Sequence, residues 1–371
     1  MQDIVGKNQK RKPTFTLYNP FFEFQNVHIK KDIACIPEAY GNRDYDAFLL
    51  IGRVKDMPLN RKFKIVQTGH VNRFNPVSNL REFFAAIRYI NTTSNTEFLM
   101  YNTSALGLPV ASYIKIKACF RHKYACKTIL KMDSDGTLNH GSLVNFLYKV
   151  LLYFGSFFFD SIITESSCGK KAVIRYVSNS KKVKIVQNGY SKEFYPVIPY
   201  GDNRERIIIT VSRITRTKGI MELLLIYKEI VPVHPEWKLL VIGLTEDPKY
   251  LEELKGFVMR NNMEDSVSFL IDIDEGELKS YYAKASIFCS LSSLEGFSNA
   301  RIEAVARGVP LFVSEAGCGR DLKGAVVVDP NDLETSAEKL AVLMKDENLR
   351  KRISIIQQKN LSSWEEVIEK F

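Results

Sequence analysis

Ser286 to Pro310 reads SIFCSLSSLEGFSNARIEAVARGVP. Its first five residues, Ser286–Ser290, form a short apolar run that reads as a buried strand. A Ser/Leu/Gly loop follows. Ser298 or Asn299 then offers a side-chain oxygen as helix N-cap. The helical run extends to Arg307, where Gly308 suits the left-handed position and Pro310 prevents continuation. Strand, loop and helix in that order make one unit of a parallel α/β sheet. Glu295 lies in the loop and Glu303 inside the helix, with seven residues between them. They flank a helix start whose unpaired N–H groups and positive dipole end attract an anion. Two acceptors beside an anion site suit a ligand with both hydroxyls and phosphates.

The same alternation runs along the whole chain. Phe15–Tyr18, Ala47–Ile51, Lys64–Gln67, Glu97–Tyr101, Thr128–Met132, Ser161–Thr164 and Val183–Val186 read as strands, with a helix over Phe83–Ile90. Phe194–Asn203 holds two prolines and a glycine and reads as a linker. A second series begins with strand Arg206–Ser212. It continues with helix Gly219–Ile230, strand Trp237–Gly243, helix Lys249–Asn261, strand Val267–Ile271 and helix Glu275–Ala285, up to the opening segment. Continuous apolar strands between helices predict parallel sheets covered on both faces. The chain therefore divides into residues 1–195, residues 204–355 and a final helix at about 356–371. Two such Rossmann-like units in tandem leave a cleft between the carboxyl ends of their strands.

A length of 371 residues, 45% hydrophobic and 25% charged, fits a globular protein of two units. The six cysteines form no Cys-x-x-Cys pair and read as reduced core thiols of a cytoplasmic protein, not as a disulfide framework or zinc site. The five histidines show no metal-ligand spacing. Residues 1–195 carry 29 Lys and Arg against 14 Asp and Glu, whereas the remainder carries 23 against 28. A basic half beside an acidic half predicts an anionic partner for the first half. With no nucleic-acid-binding motif present, the expected partner is an anionic membrane surface. Leu143–Phe159 (LVNFLYKVLLYFGSFFF) is shorter than the roughly 20 apolar residues of a spanning helix and holds Asn145 and Lys149. It predicts a buried or interfacial helix.

A second constellation lies in Thr210–Gly219. The first strand of the second unit delivers Arg213 and Lys218 to the cleft. Arg supplies a planar fork for phosphate oxygens and Lys a point charge, so together they suit a diphosphate.

With these residues assembled, the chain resembles a GT-B glycosyltransferase of family 4, the retaining type. The likeness rests on Val211-Ser212-Arg213 with Lys218-Gly219, on Val267–Leu270, on Glu295 to Glu303 with Gly308 and Pro310, on Val186–Gly189, and on Ser363-Trp364-Glu365. It is strong over about 160–371 and weak over 1–125. It implies that Arg213 and Lys218 hold the donor diphosphate and that Glu303 accepts from ribose hydroxyls. Glu295 would face the donor sugar, with Gly296, Phe297, Ser298 and Asn299 contributing backbone contacts. Leu270, Ile271 and Asp272 would border the base. The final helix would cross back to the first unit. The donor would be a UDP- or GDP-linked sugar, and no cofactor or metal would be required. The chain departs from the family pattern where a Gly-Gly loop is usual, since Pro20–His28 holds no glycine. It departs again where a His is usual, at Lys131–Gly136, so Asp133, with Asp135 second, is the expected acceptor-side residue. A carboxylate there can hydrogen-bond or deprotonate an acceptor hydroxyl.

The sequence thus predicts a retaining glycosyltransferase acting on a glycan or lipid-linked acceptor, peripheral at the inner membrane face. A non-catalytic sugar-nucleotide-binding subunit and an epimerase of the same architecture are the alternatives.

Overall fold

The computed structural model describes residues 12–25, 28–56, 60–69, 76–93, 96–101, 107–120, 126–132, 143–202, 204–316 and 318–371. Two parallel sheets organise the chain. The first holds β1 (Thr14–Phe24), β2 (Asp46–Val54), β3 (Phe63–Gln67), β4 (Glu97–Tyr101), β5 (Lys127–Met132), β6 (Ser161–Thr164) and β7 (Val183–Ile185), in the order β3-β2-β1-β4-β5-β6-β7. The second holds β8 (Ile207–Val211), β9 (Lys238–Gly243), β10 (Val267–Ile271), β11 (Ile287–Ser290), β12 (Leu311–Ser314) and β13 (Val326–Val328), in the order β10-β9-β8-β11-β12-β13. Both orders reverse direction once, between β1 and β4 and between β8 and β11. Connections leave these neighbours toward opposite faces there and open a crevice at the carboxyl edge.

The central strands are apolar on both faces because helices cover both. Ile208, Ile209, Ile287 and Phe288 are fully buried. β1 is longer than its sequence pattern suggests and contains Pro20, which cannot donate to a ladder. The pairing with β2 shifts register between Asn19 and Glu23, and this irregularity accommodates it. Helix α1 (Asp32–Asn42) follows β1 and was not legible as a helix, since Gly41 and an internal Pro37 obscure it.

Helix α4 (Leu143–Gly155) leads into β6 through a short 3-10 turn, Ser156–Phe158. Among the described residues no helix is long and apolar enough to cross a membrane.

The C-terminal return starts later than the sequence suggests. Helix α11 (Glu347–Lys359) still packs on the second unit, where Gln358 donates to the Val305 carbonyl at 3.1 Å. The crossing occurs at 360–363, where Ser363 bridges Tyr190. Trp364, Val367, Ile368 and Phe371 then insert into the core of the first unit beside Phe15, Leu49 and Ile163. Fully burying such a side chain contributes roughly 1.5–3 kcal/mol. The tail is therefore part of that core.

The expectation of six reduced thiols fails at one pair. Cys168, in helix α5 (Ser167–Val173) after β6, is disulfide-bonded to Cys318, in the loop after β12, with Cα atoms 5.9 Å apart. The two lie 150 residues apart in the chain, which conceals the pairing from spacing arguments. Cys35, Cys126 and Cys289 are buried free thiols, and Cys119 is exposed. Burial pushes the Cys126 thiol up to about 12.

Candidate donor site at the sheet edges

The loop after β8 and the loop after β11 flank the reversal point of the second sheet. The first carries Arg213 and a single 3-10 turn, Arg216–Lys218, closed by Gly219 at φ +66°. A Cβ there would meet the Leu291 carbonyl oxygen at 1.9 Å, so only glycine lets the two loops touch. This contact brings Lys218 to Glu295. Their side chains form an ion pair of 2.8 Å, each 14% exposed. Ser292 Oγ donates to the same Glu295 oxygen at 3.2 Å.

Glu295 leads into Gly296, buried Phe297 and helix α9 (Asn299–Ala306). Ser298 occupies the N-cap position without a side-chain cap bond, so the helix start keeps donors available. Asn299 Oδ1 instead accepts from Asn188 Nδ2 of the first unit at 3.4 Å. Gly308 adopts φ +74° past the end of α9, as the sequence suggests. Arg301 is buried beneath the loop, donating to Ser290 and to the Ala316 carbonyl. Burial draws its pKa down, partly offset by the nearby Glu295.

Glu303 faces the other unit. Tyr282 donates to it at 3.3 Å. Burial raises its pKa, and the nearby Lys30 ammonium and the Tyr282 hydroxyl only partly offset that cost. Arg213 is 61% exposed and makes a forked contact with Glu246 at 3.0 and 2.9 Å. Nothing in the sequence pattern marked Glu246. Leu270 and Ile271 end β10, and Asp272 follows at φ +54°, its amide on the Gly243 carbonyl. The structure thus brings Lys218 onto Glu295, holds Glu303 one helix turn and more away, and leaves Arg213 at the rim.

Asp133 and Asp135 lie outside the described residues. Next to them, sequence reasoning missed a buried charge cluster. Lys131, the penultimate residue of β5, contacts Asp32 at 2.8 Å and Glu165. The Tyr101 hydroxyl donates to Asp32 at 2.5 Å, and the Lys131 ammonium lies 4.8 Å from the Tyr101 ring centre. Burial pushes the Asp32 carboxyl up, but Lys131, Tyr101 and the Ile33 amide outweigh it and hold its pKa below the ordinary value. Charge among otherwise apolar strand residues was the available signal. Among the described residues no three His, Cys, Asp or Glu side chains gather into a metal-binding group.

With this geometry, residues 192–360 match the family Glycosyl transferases group 1. The chain has the GT-B fold, and the family match spans nearly all of its second unit. The capsular polysaccharide biosynthesis glycosyltransferase CapM of Staphylococcus aureus is 28% identical over 177 residues, covering 47% of this chain and 44% of CapM. Alpha-monoglucosyldiacylglycerol synthase of Streptococcus pneumoniae is 24% identical over 237 residues, covering 59% of this chain and 50% of the synthase. The chain thus spans about half the length of these curated relatives. The Anabaena protein HepE, solved with UDP and glucose, superposes with a TM-score of 0.69 at 15% identity, over 96% of this chain and 98% of HepE.

Proposed function

We propose that this protein transfers a sugar, with retention of configuration, from a nucleoside-diphosphate sugar to a lipid-linked glycan or glycolipid acceptor at the cytoplasmic membrane face. The observation that carries the reading is the Lys218–Glu295 pair beside the uncapped start of α9, at the reversal point of the second sheet. Lys218 and the helix start would stabilise charge on the departing diphosphate, which is electrostatic stabilisation at a preorganised site. Arg213 at the rim would turn from Glu246 to phosphate. Glu295, relieved of Lys218, would meet sugar hydroxyls, and Glu303 the ribose. Attack on the same face, assisted by the leaving phosphate, needs no protein nucleophile. A UDP-containing neighbour and relatives named for capsular polysaccharide and diacylglycerol products support donor and acceptor class.

The membrane part of the proposal is supported by exposed aromatic side chains of the first unit. Phe120, Phe146, Phe154 and Phe157 are exposed, Phe120 by 82%. Together with the positive first half they suit an anionic bilayer, aromatic groups at the interface and cations toward headgroups. Flotation with anionic liposomes tests it, and binding insensitive to Phe146→Ser with Phe154→Ser refutes it.

Incubation with UDP- and GDP-sugars and a lipid extract tests the main reading. Loss of transfer in Lys218→Ala and Glu295→Ala is expected, and full activity in both would overturn it. A non-catalytic donor-binding subunit is the second reading, favoured by the way Lys218 and Glu295 satisfy each other. Calorimetric donor binding without turnover on any acceptor would select it.

A further inference from the structure

The segment between β1 and α1 holds no glycine from Pro20 to Lys31. Backbone N–H groups of a glycine loop therefore do not approach a ligand from the first unit. Lys30 occupies that place. It follows β1 at the reversal point of the first sheet and stands two residues before α1, as Lys218 stands two residues before the helix that follows β8, so the two positions are counterparts.

Lys30 reaches across the cleft. Its ammonium contacts Glu275 of the second unit at 3.0 Å, with side chains 25% and 35% exposed. Glu275 opens helix α8 (Glu275–Lys284), directly after the 270–272 segment, with Asp274 as N-cap in a capping box. The Lys30 charge also acts on Glu303, partly offsetting the rise that burial gives its carboxyl. Lys30 thus stands at the first sheet's reversal point and faces the second unit's donor segments across the cleft.

The two partners of this contact are unequal. Glu275 also pairs with Lys279 at 3.1 Å, one turn along its own helix, and sits at a helix start that favours negative charge. Burial raises its pKa, but the two lysines together outweigh that and hold it low. Lys30 has no second carboxylate among the described ion pairs. If Lys30 leaves, Glu275 keeps Lys279, so the carboxylate it contacts directly is not stranded, while Glu303 loses a neighbouring cation.

Resting on the donor reading above, we infer that Lys30 is the first unit's diphosphate-binding residue, which exchanges its contact with Glu275 for the phosphates of a nucleoside diphosphate when one binds. A side-chain cation replaces the missing backbone donors. The Lys30–Glu275 contact is a latch between the units that the ligand itself exchanges. Two lysines, Lys30 and Lys218, then approach the diphosphate from opposite sides, each released from a glutamate.

Calorimetric titration of the full chain with UDP, GDP and inorganic pyrophosphate tests this, using Lys30→Met, Lys30→Arg and Glu275→Gln. Lys30→Met is expected to weaken diphosphate binding about tenfold, the equivalent of one charge-assisted contact. Lys30→Arg retains most of the affinity. Glu275→Gln removes the competing carboxylate and tightens binding a few-fold. A latch that only joins the units predicts instead that Glu275→Gln weakens binding as much as Lys30→Met, and that result would overturn the inference. Unchanged affinity in Lys30→Met overturns it while leaving the transferase reading intact. Lys30-dependent pyrophosphate binding with no transfer from any donor sugar upholds it and removes that reading. A wild-type chain that binds none of the three ligands overturns both.

Discussion

The carboxyl edges of the two sheets have the same architecture and opposite chemistry. In the first, the central cluster is sealed: Lys131 is 1% exposed and lies between Asp32 and Glu165, while Lys30 reaches outward to Glu275. In the second they are half open: Lys218 meets Glu295 at 14% exposure and Arg213 meets Glu246 at the surface. A sealed ion cluster has paid its desolvation during folding and cannot give up a partner cheaply. A half-open pair can exchange its partner for a ligand. Topology therefore places both crevices, while solvent access separates the charges that act as scaffold, Lys131 and its partners, from those that can exchange a partner, Lys218 and Lys30.

The disulfide is the covalent tie between the two edges, and breaking it has the largest expected effect. Closing a loop of 150 residues is worth about 5 kcal/mol in the chain-entropy account. Reduction, or Cys168→Ser, should lower the denaturation midpoint accordingly, and a midpoint insensitive to reductant would show that the bond does not form in solution. Ser167 N–H to Asp321 at 2.6 Å and Gln187 to the Asp321 carbonyl hold the same junction and should survive reduction.

Lys131→Met comes next. It strands two buried carboxylates and should cost about 3–5 kcal/mol in chemical denaturation. A cost below that of an ordinary surface pair would mean that the first edge is as open as the second.

Glu82 gives the first unit a pH dependence. It is buried on helix α2 (Pro76–Thr92), where burial outweighs a hydrogen bond from Thr68 and raises its carboxyl to about 7. The fold holds it protonated while the unfolded chain, near the reference 4.5, is ionised. Its contribution is therefore full below pH 4.5 and lost as pH rises through about 7. Melting temperature should fall across that window, and Glu82→Gln should flatten the decline. An identical decline in the variant would assign the dependence elsewhere.

The smallest effect belongs to the rim. Glu246→Gln frees an exposed Arg213 and should change stability by less than about 1 kcal/mol. On the donor reading it should leave affinity unchanged or raise it slightly, measured by titration with UDP and GDP. A large stability loss would make Arg213 a structural residue and remove the contrast between the two edges.

Much of the second unit was legible because its signals are local. Gly308, Pro310 and the two glutamates mark the limits and polarity of α9 within one segment. Arg213 and Lys218 sit at a strand end that periodicity alone predicts. In the first unit, α1 was hidden by Gly41 and Pro37, and β1 runs through a proline that only a register shift with β2 tolerates. Lys131 lay near Asp133 in the sequence, yet its partners come from elsewhere, Asp32 from the start of α1 and Glu165 from just after β6, so no spacing could pair them.

The sequence by itself determined two parallel α/β units, their order, and the segments that border the cleft, because strand and helix periods and caps act over a few residues. Tertiary structure alone decided which charges meet. Lys218 finds Glu295 because Gly219 lets two loops touch, Lys30 finds Glu275 because two sheet edges face each other, and Cys168 finds Cys318 across 150 residues. Each depends on separation in space, a quantity that residue spacing does not carry.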